Sequence, residues 1–492
     1  MFVEKIEVPA FRVLRNVVLE FDPAHTPRVF PLGSENGGGK STLLQLLFVL
    51  LHCSSDPKRL PYLANLLSTD AHADDADERL IARLTIRIDD KPQVVEFVSL
   101  SDGFLKKHLG AAAVLLGFMA EPMIKTISDT IDTASIQLKQ HQDANNVNWS
   151  TAFNNPYTEI WIRTALGGDP VDTPMPKSEV ELRGYLTSTI KKLERKVGEH
   201  HVGLEFANAE FDRIRHLLGA FNYHYVTPYE ISSKVATHRC AIVCRVVGQS
   251  ADRAHALLNG LAAKIFLLGP SNQQYLFLTK DVRKSLLRAP RRDIEGAARP
   301  QMQYMQHLDE AETKMPGFFA YDWLSVDPLL QLFFDARDAD FKQVVKNGKY
   351  GDSFTQLMRE VNSLLLGKQV RPLFDQQSNQ VIGIEFVVVR ADGQETILNV
   401  EDLSQGELKR LMIYTWLRAH RAVDAFVLID EIEASFHPDW QYGIIRDLQE
   451  WAPKNQYILA THSYELCTAL TPAHVRTLEP PLRPGQSSAA GE

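Results

Sequence analysis

Apolar and polar residues alternate through FVEKIEV and, after Pro9, through VLRNVVLEF, the two-residue period of strands with one buried face. RVFPLG (28–33) is a short apolar strand, and the continuous apolarity of STLLQLLFVLLHC (41–53) predicts a buried helix. LIARLTIRID (80–89) and QVVEFVSL (93–100) read as strands. From about 104 to 220 the period turns helical, most clearly in the amphipathic stretch 177–201. AIVCRVVG (241–248), AKIFLLG (263–269), GIEFVVVR and QETILNV supply further strands around a mainly helical stretch at 300–367. No internal repeat is visible, nor a heptad pattern long enough for an extended coiled-coil arm.

The apolar run LGAAAVLLGFMA (109–120) is too short for the roughly 20 residues of a membrane span and predicts a buried helix. The start, MFVEKIEVPAF, has no apolar signal core, so the expectation is a cytoplasmic protein that does not engage a membrane. With 492 residues, 45% hydrophobic and 23% charged, the chain can form two to four folding units. A net charge of −8 argues against a uniformly basic nucleic-acid binder. Cys53, Cys240, Cys244 and Cys467 are too scattered for a disulfide framework, and Cys240 and Cys244 read as buried core thiols.

Candidate chemistry begins at GSENGGGKST (33–42). Between a strand and a helix, the N–H groups of Gly37, Gly38 and Gly39 can wrap phosphate oxygens because no side chain obstructs them. The helix N-terminus adds positive potential; Lys40 would reach the terminal phosphates and Ser41 would ligate Mg²⁺. The pattern of Gly, four residues and Gly-Lys-Ser has Ser34 where its first glycine belongs. AFVLIDE (425–431) is an apolar strand ending in acids, of which Asp430 would hold Mg²⁺ and Glu431 would polarise an attacking water. LSQGE (403–407) ends 23 residues before Asp430, and ILATHS (458–463) brings His462 to a strand end.

Together these four segments resemble the Walker A, signature, Walker B and switch motifs of ABC-type ATPases. DEIEASFHP is similar to the DExExxLHP pattern of the OLD, RecF and SMC-related branch, with His437 where transporter ATPases carry an aspartate. The loop of that branch usually reads GENGSGKST, so Asn36, Gly37, Gly39, Lys40, Ser41 and Thr42 match and Ser34 departs. The resemblance implies an α/β head built from both chain ends. It also implies ATP and Mg²⁺ held by residues 36–42, Asp430, Glu431 and His462, with Ser404 and Gly406 contributed in trans by a second copy. That requires at least a homodimer. A Mg²⁺-contacting glutamine is implied too, for which Gln273, Gln274 and Gln93 are candidates.

The expected organisation is an N-terminal head part at 1–103, a helical insertion at 104–220 and a head continuation at 221–299. A second helical insertion at 300–367, a C-terminal head part at 368–476 and a disordered tail at 477–492 complete it. About 360 residues separate Thr42 from the signature. The SMC group inserts long coiled coils there, whereas the sequence here predicts compact helices. The segment 280–299 has seven basic and three acidic residues and could contact nucleic acid or an acidic protein, although such runs are more often solvated faces. Asp335, Asp338 and Asp340 are expected on a helix surface.

OLD nucleases carry a Toprim domain after the ATPase, but the thirty residues after His462 are too few for one. The layout therefore resembles ATPases of two-gene anti-phage systems: PARIS in size, Septu and related retron systems in motif order. This implies a sensor or scaffold controlling a separate Toprim or HNH nuclease, triggered by a phage protein. A RecF- or SMC-like repair ATPase on duplex DNA, and an ATP-stabilised scaffold with negligible turnover, are the alternatives.

Overall fold

The structure is a computed structural model and describes residues 1–34, 37–70, 76–109, 111–146, 178–232, 237–278, 283, 313–321, 327–375, 381–389, 393–399 and 402–478. The chain divides into two compact units, one made of 1–101 and 222–492, the other of 102–221. The architecture is mixed α/β. Among the described residues no helix is long and apolar enough to cross a membrane.

The first unit is organised by a six-stranded sheet with all neighbours parallel. Across it run Arg476–Thr477, Val29–Gly33, Gln456–Thr461, Phe426–Asp430, Ile265–Gly269 and Phe318–Ala320. The central strands read as unbroken apolar runs because both faces are covered. Phe30, Leu32, Phe426, Leu428, Ile265 and Leu267 point to one side, where helix Lys40–Cys53 packs. Val29, Val427, Ile429, Phe266 and Leu268 point to the other, against Met412, Trp416, Ile445 and Leu448 of helices Gln405–Ala419 and Pro438–Trp451.

A second six-stranded sheet, antiparallel, has the order Leu14–Glu20, Phe2–Phe11, Glu78–Ile88, Lys91–Ser101, Thr237–Val246, His224–Ser232. It shares the core on the side of the 40–53 helix. Gln456, fully buried, fastens the sheets together: it accepts from the Val3 N–H at 2.7 Å and donates to the Val3 carbonyl at 2.9 Å. A third sheet, Gln369–Phe374, Val381–Val389 and Glu395–Leu398, packs with helices Asp327–Asn347 and Ser353–Ser363. All four cysteines are free, and Cys53, Cys240 and Cys244 are buried.

Several expectations are corrected. The strands 224–232 and 369–374 lack the periodicity that would announce them. Within the stretch 300–367, expected to be mainly helical, Phe318–Ala320 is an edge strand of the parallel sheet that no pattern announces, too short to show a period. Asp335 and Asp338 are exposed on helix 327–347, but Asp340 is buried and accepts from the N–H groups of Ser353 and Phe354 at 2.8 and 2.9 Å. It thereby caps the next helix.

The second unit overturns the expectation of compact helices without a coiled-coil arm. Helices Ala111–Asn146 and Glu179–Gly219 run antiparallel: Arg183 donates to the Asn145 carbonyl at 2.6 Å, and Ile127 lies beside Gly203. At 1.5 Å per residue the longer helix extends about 60 Å. Its inward positions include Leu182, Leu186, Thr189, Leu193, Val197, His200, Leu204 and Ala207, spaced three and four apart, and then Ile214 and Leu218. Thr189, His200 and Ala207 dilute the apolar signal of that seam and hide it from a hydropathy reading. The apolar run 109–120 opens the first helix, but its side chains lie outside the described residues.

Replacing Gln456 by Leu should strand both buried Val3 backbone groups. A loss of about 2–5 kcal/mol in unfolding free energy is expected, read from urea melts against the wild type.

Candidate functional site

Because the strands of the parallel sheet run the same way, the segments following them gather at one edge. The glycine loop follows strand 29–33, and a 3₁₀ turn Ser271–Phe277 follows 265–269. Tyr321 follows 318–320, Glu431 follows 426–430 and His462 follows 456–461. Residues Gly37 to Thr42, Asp430, Glu431, His462 and Val13 line a cavity of about 420 Å³ there.

Within the loop Gly37 and Gly39 have φ of 82° and 90°, a left-handed conformation that favours glycine. At Gly39 space forbids a side chain as well, since a Cβ would lie 2.6 Å from Leu14 Cδ2. No side chain caps helix 40–53, so its first N–H groups remain free for an anion. Lys40 is 5% exposed and donates to the Ser34 carbonyl at 3.1 Å and the Ser34 hydroxyl at 3.0 Å, with His462 Nδ1 at 3.5 Å. Burial lowers the Lys40 pKa, outweighing attraction to Asp430, Glu433 and Glu431. The irregular Ser34 therefore adds a hydroxyl acceptor for the loop lysine. Asn36 lies outside the described residues.

Asp430 ends its strand 2% exposed, and burial pushes its carboxyl up to about 6. The Ser41 hydroxyl and Lys40 counter that rise, while Glu431 and Glu433 add to it. Gln273, also buried, donates from Nε2 to Asp430 Oδ2, and its own Oε1 is buried without a partner among the described residues. Gln273 is thus the candidate glutamine brought to the site. Gln274 is half-buried, and Gln93 instead accepts from Gln249 on the antiparallel sheet. Mg²⁺ prefers oxygen ligands and keeps several from water and phosphate. The Ser41 hydroxyl, the Asp430 carboxylate and the partnerless Gln273 Oε1 form an oxygen set that fits it. No group of three or more His, Cys, Asp and Glu poised for a metal occurs among the described residues, so protein donors here would supply only part of a shell.

Glu431 has φ 53°, unusual for a residue with a side chain. Its N–H donates to the Ala460 carbonyl at 2.9 Å. Its own carbonyl accepts from Lys409 Nζ at 2.8 Å, Tyr321 OH at 3.0 Å and the Ala434 N–H at 3.1 Å. The Glu431 side chain is left exposed toward the cavity. The His462 N–H donates to Glu433 Oε1 at 2.7 Å, and Glu433 Oε2 is buried without a partner among the described residues.

Ser404 and Gly406 do not line this cavity. Ser404 caps helix 405–419 in a capping box: its hydroxyl accepts from the Glu407 N–H at 3.2 Å, and its N–H donates to Glu407 Oε2 at 2.9 Å. Burial would raise the Glu407 carboxyl, but Lys368, Ser404 and the Leu366 N–H hold it below the usual range. Gly406 is fitted under the next turn, a Cβ there coming 3.0 Å from the Ser435 carbonyl and 3.1 Å from the Trp440 ring. Of the basic segment 280–299 only Arg283 is described; it donates to Asn65 Oδ1 at 2.9 Å.

Three residues at the site escape sequence reasoning. Glu433 is visible in DEIE as a third acid without an assigned role. Lys409 lies two positions after the signature, indistinguishable there from a surface lysine. Tyr321 follows a strand that no pattern marks.

Residues 274–468 match a family model described as an AAA domain, putative AbiEii toxin, Type IV TA system. Over 107 residues the chain is 32% identical to a protein of Vibrio cholerae serotype O1 biovar El Tor described as the Retron Vc95 probable ATPase. That alignment takes in 19% of this chain and 20% of the relative, so it spans about a fifth of the length of the curated relative. Solved structures similar to the chain include the SMC head domain from Thermotoga maritima, 9% identical over 96% of this chain and 92% of that one, with a TM-score of 0.36. An SmcHead bound to the C-winged helix domain of ScpA is 11% identical over 96% of this chain and 93% of that one, with a TM-score of 0.38.

A carboxyl raised by folding favours the folded state while protonated and opposes it once ionised. In ligand-free protein, Asp430 therefore contributes stability below its unfolded pKa, and that contribution is lost as pH rises through about 6. Asp430→Asn should stabilise the ligand-free protein by up to about 3 kcal/mol at pH 7, the gain shrinking to nothing below pH ~4. Melting curves of both proteins at pH 4 and pH 7 check the sign.

Proposed function

We propose that the protein is a Mg²⁺-dependent ATPase of ABC type. The observation that carries this reading is the single cavity where the glycine loop, Asp430, Glu431 and His462 converge. The loop N–H groups and the helix N-terminus bind the phosphates, and Lys40 leaves Ser34 to meet the terminal ones. Mg²⁺, held through Ser41, Asp430 and Gln273, neutralises charge on the phosphates when bound. Glu431 orients and polarises the water that attacks the γ-phosphate. His462, anchored through its backbone by Glu433 and 3.5 Å from the Lys40 ammonium, contacts that phosphate beside the lysine.

Ser404 is exposed and outside the cavity, which supports a composite site completed by Ser404 and Gly406 of a second copy. The functional unit is then at least a homodimer. The likeness to a probable retron ATPase, and to a family whose description names a putative toxin, supports a place in anti-phage defence. There the ATPase would act as sensor or scaffold for a separate nuclease effector of Toprim or HNH type, released by a phage-derived trigger.

The antiparallel pairing of helices Ala111–Asn146 and Glu179–Gly219 favours a second reading, a RecF- or SMC-like ATPase acting on duplex DNA, because that branch carries coiled-coil insertions at this point of the chain. ATP-dependent, salt-sensitive binding of the whole chain to duplex DNA would support it; salt-independent or absent binding leaves the first reading.

Glu431→Gln should retain ATP and lower turnover by about 100-fold or more, whereas Lys40→Ala should lose nucleotide binding. Ser404→Arg should abolish ATP-dependent dimerisation and turnover together. Nucleotide binding, phosphate release and light scattering measure the three. Wild-type turnover in Glu431→Gln would show that hydrolysis does not use this site.

A further inference from the structure

The helix that starts at Ser404 reaches the strand end carrying Glu431 through one buried cation. Lys409 is 4% exposed and donates to the Glu431 carbonyl at 2.8 Å and the Ala434 carbonyl at 3.0 Å. Its ammonium also lies 3.8 Å from the centre of the Tyr321 ring, within range of a cation–π attraction. The Tyr321 hydroxyl in turn donates to the Asp430 and Glu431 carbonyls. These donors converge on a turn whose first residue has φ 53° and whose Ser435 has φ 72°. Left-handed backbone at residues with side chains persists only when surrounding contacts over-determine it.

We propose that Lys409 is a positioning residue for Glu431, clamping the 431–434 turn so that the Glu431 carboxylate faces the terminal phosphate. The proposal rests on the reading of Glu431 as the water-polarising group. Displacement of a reacting group by about 1 Å is enough to cost on the order of 100-fold in rate. The clamp also gives the signature a route to hydrolysis within one chain. Gln405 Oε1 accepts from the Ser435 hydroxyl at 3.1 Å, and Gly406 is fitted under the Ser435 carbonyl. Movement of the helix start on meeting a second copy's nucleotide is thus passed to the turn that aims Glu431.

The test compares kcat, KM and binding of a fluorescent ATP analogue with Mg²⁺ in Lys409→Met, Lys409→Arg and Tyr321→Phe proteins. Lys409→Met should lower kcat about 100-fold while KM and analogue affinity stay within about threefold. Lys409→Arg should recover most of the rate, because a guanidinium also donates to two carbonyls. Tyr321→Phe keeps the ring and the cation and removes one donor, and about a tenfold fall in kcat alone is expected. Wild-type kcat in Lys409→Met overturns the proposal, as does a loss of affinity equal to the loss of rate. Should Lys409→Met fail to fold, Tyr321→Phe decides by the same criteria. A wild-type chain that turns over ATP no faster than Glu431→Gln removes the ATPase reading itself, and the clamp with it.

Discussion

The common direction of the six strands in the parallel sheet is the constraint on which the rest depends. Parallel strands place every C-terminal end at one edge, so loops hundreds of residues apart in sequence become neighbours. The covering of both faces holds that edge rigid. Helix 40–53 packs on one side, and helices 405–419 and 438–451 on the other. The helix beginning at Ser404 is therefore part of the same packed body as the loop lysine, although its first residues do not line the cavity.

That rigidity keeps an electrostatically uncomfortable arrangement in place. Asp430, Glu431 and Glu433 surround one buried lysine, and burial disfavours the charged forms of both Asp430 and Lys40. Gln273 Oε1 and Glu433 Oε2 remain without partners among the described residues. The oxygens among these groups would gain from a bound cation, and Lys40 from a bound anion. Binding free energy is thus available from groups that folding leaves unsatisfied, a frequent property of sites built for a ligand. Lys40 is meanwhile partnered by Ser34, the residue that stands where the Walker A pattern has its first glycine.

Much of the site is legible in the residues because its strands are continuous apolar runs ending in polar chemistry. The strands 29–33, 426–430 and 456–461 all have that form, and each ends at a quoted motif. What stays hidden depends on tertiary burial. Gln273 and Gln274 are adjacent and chemically identical, and only the 3₁₀ turn decides which meets Asp430. Tyr321 is invisible because a three-residue strand has no measurable period. The coiled-coil seam is masked by Thr189, His200 and Ala207, whose small or polar side chains fit between helices without raising hydropathy. Asp340 has the composition of a surface acid and becomes a helix cap because the next helix starts beside it.

The loop strand Val29–Gly33 is hydrogen-bonded between Gln456–Thr461 and Arg476–Thr477, partners that the ribosome delivers more than 400 residues later. Such long-range pairing slows folding and leaves an apolar strand waiting in the nascent chain. Helices Ala111–Asn146 and Glu179–Gly219, which pack on each other within 102–221, are synthesised long before. Completion of the cavity therefore waits for Asp430, Glu431 and His462, all of which are synthesised after both of those helices.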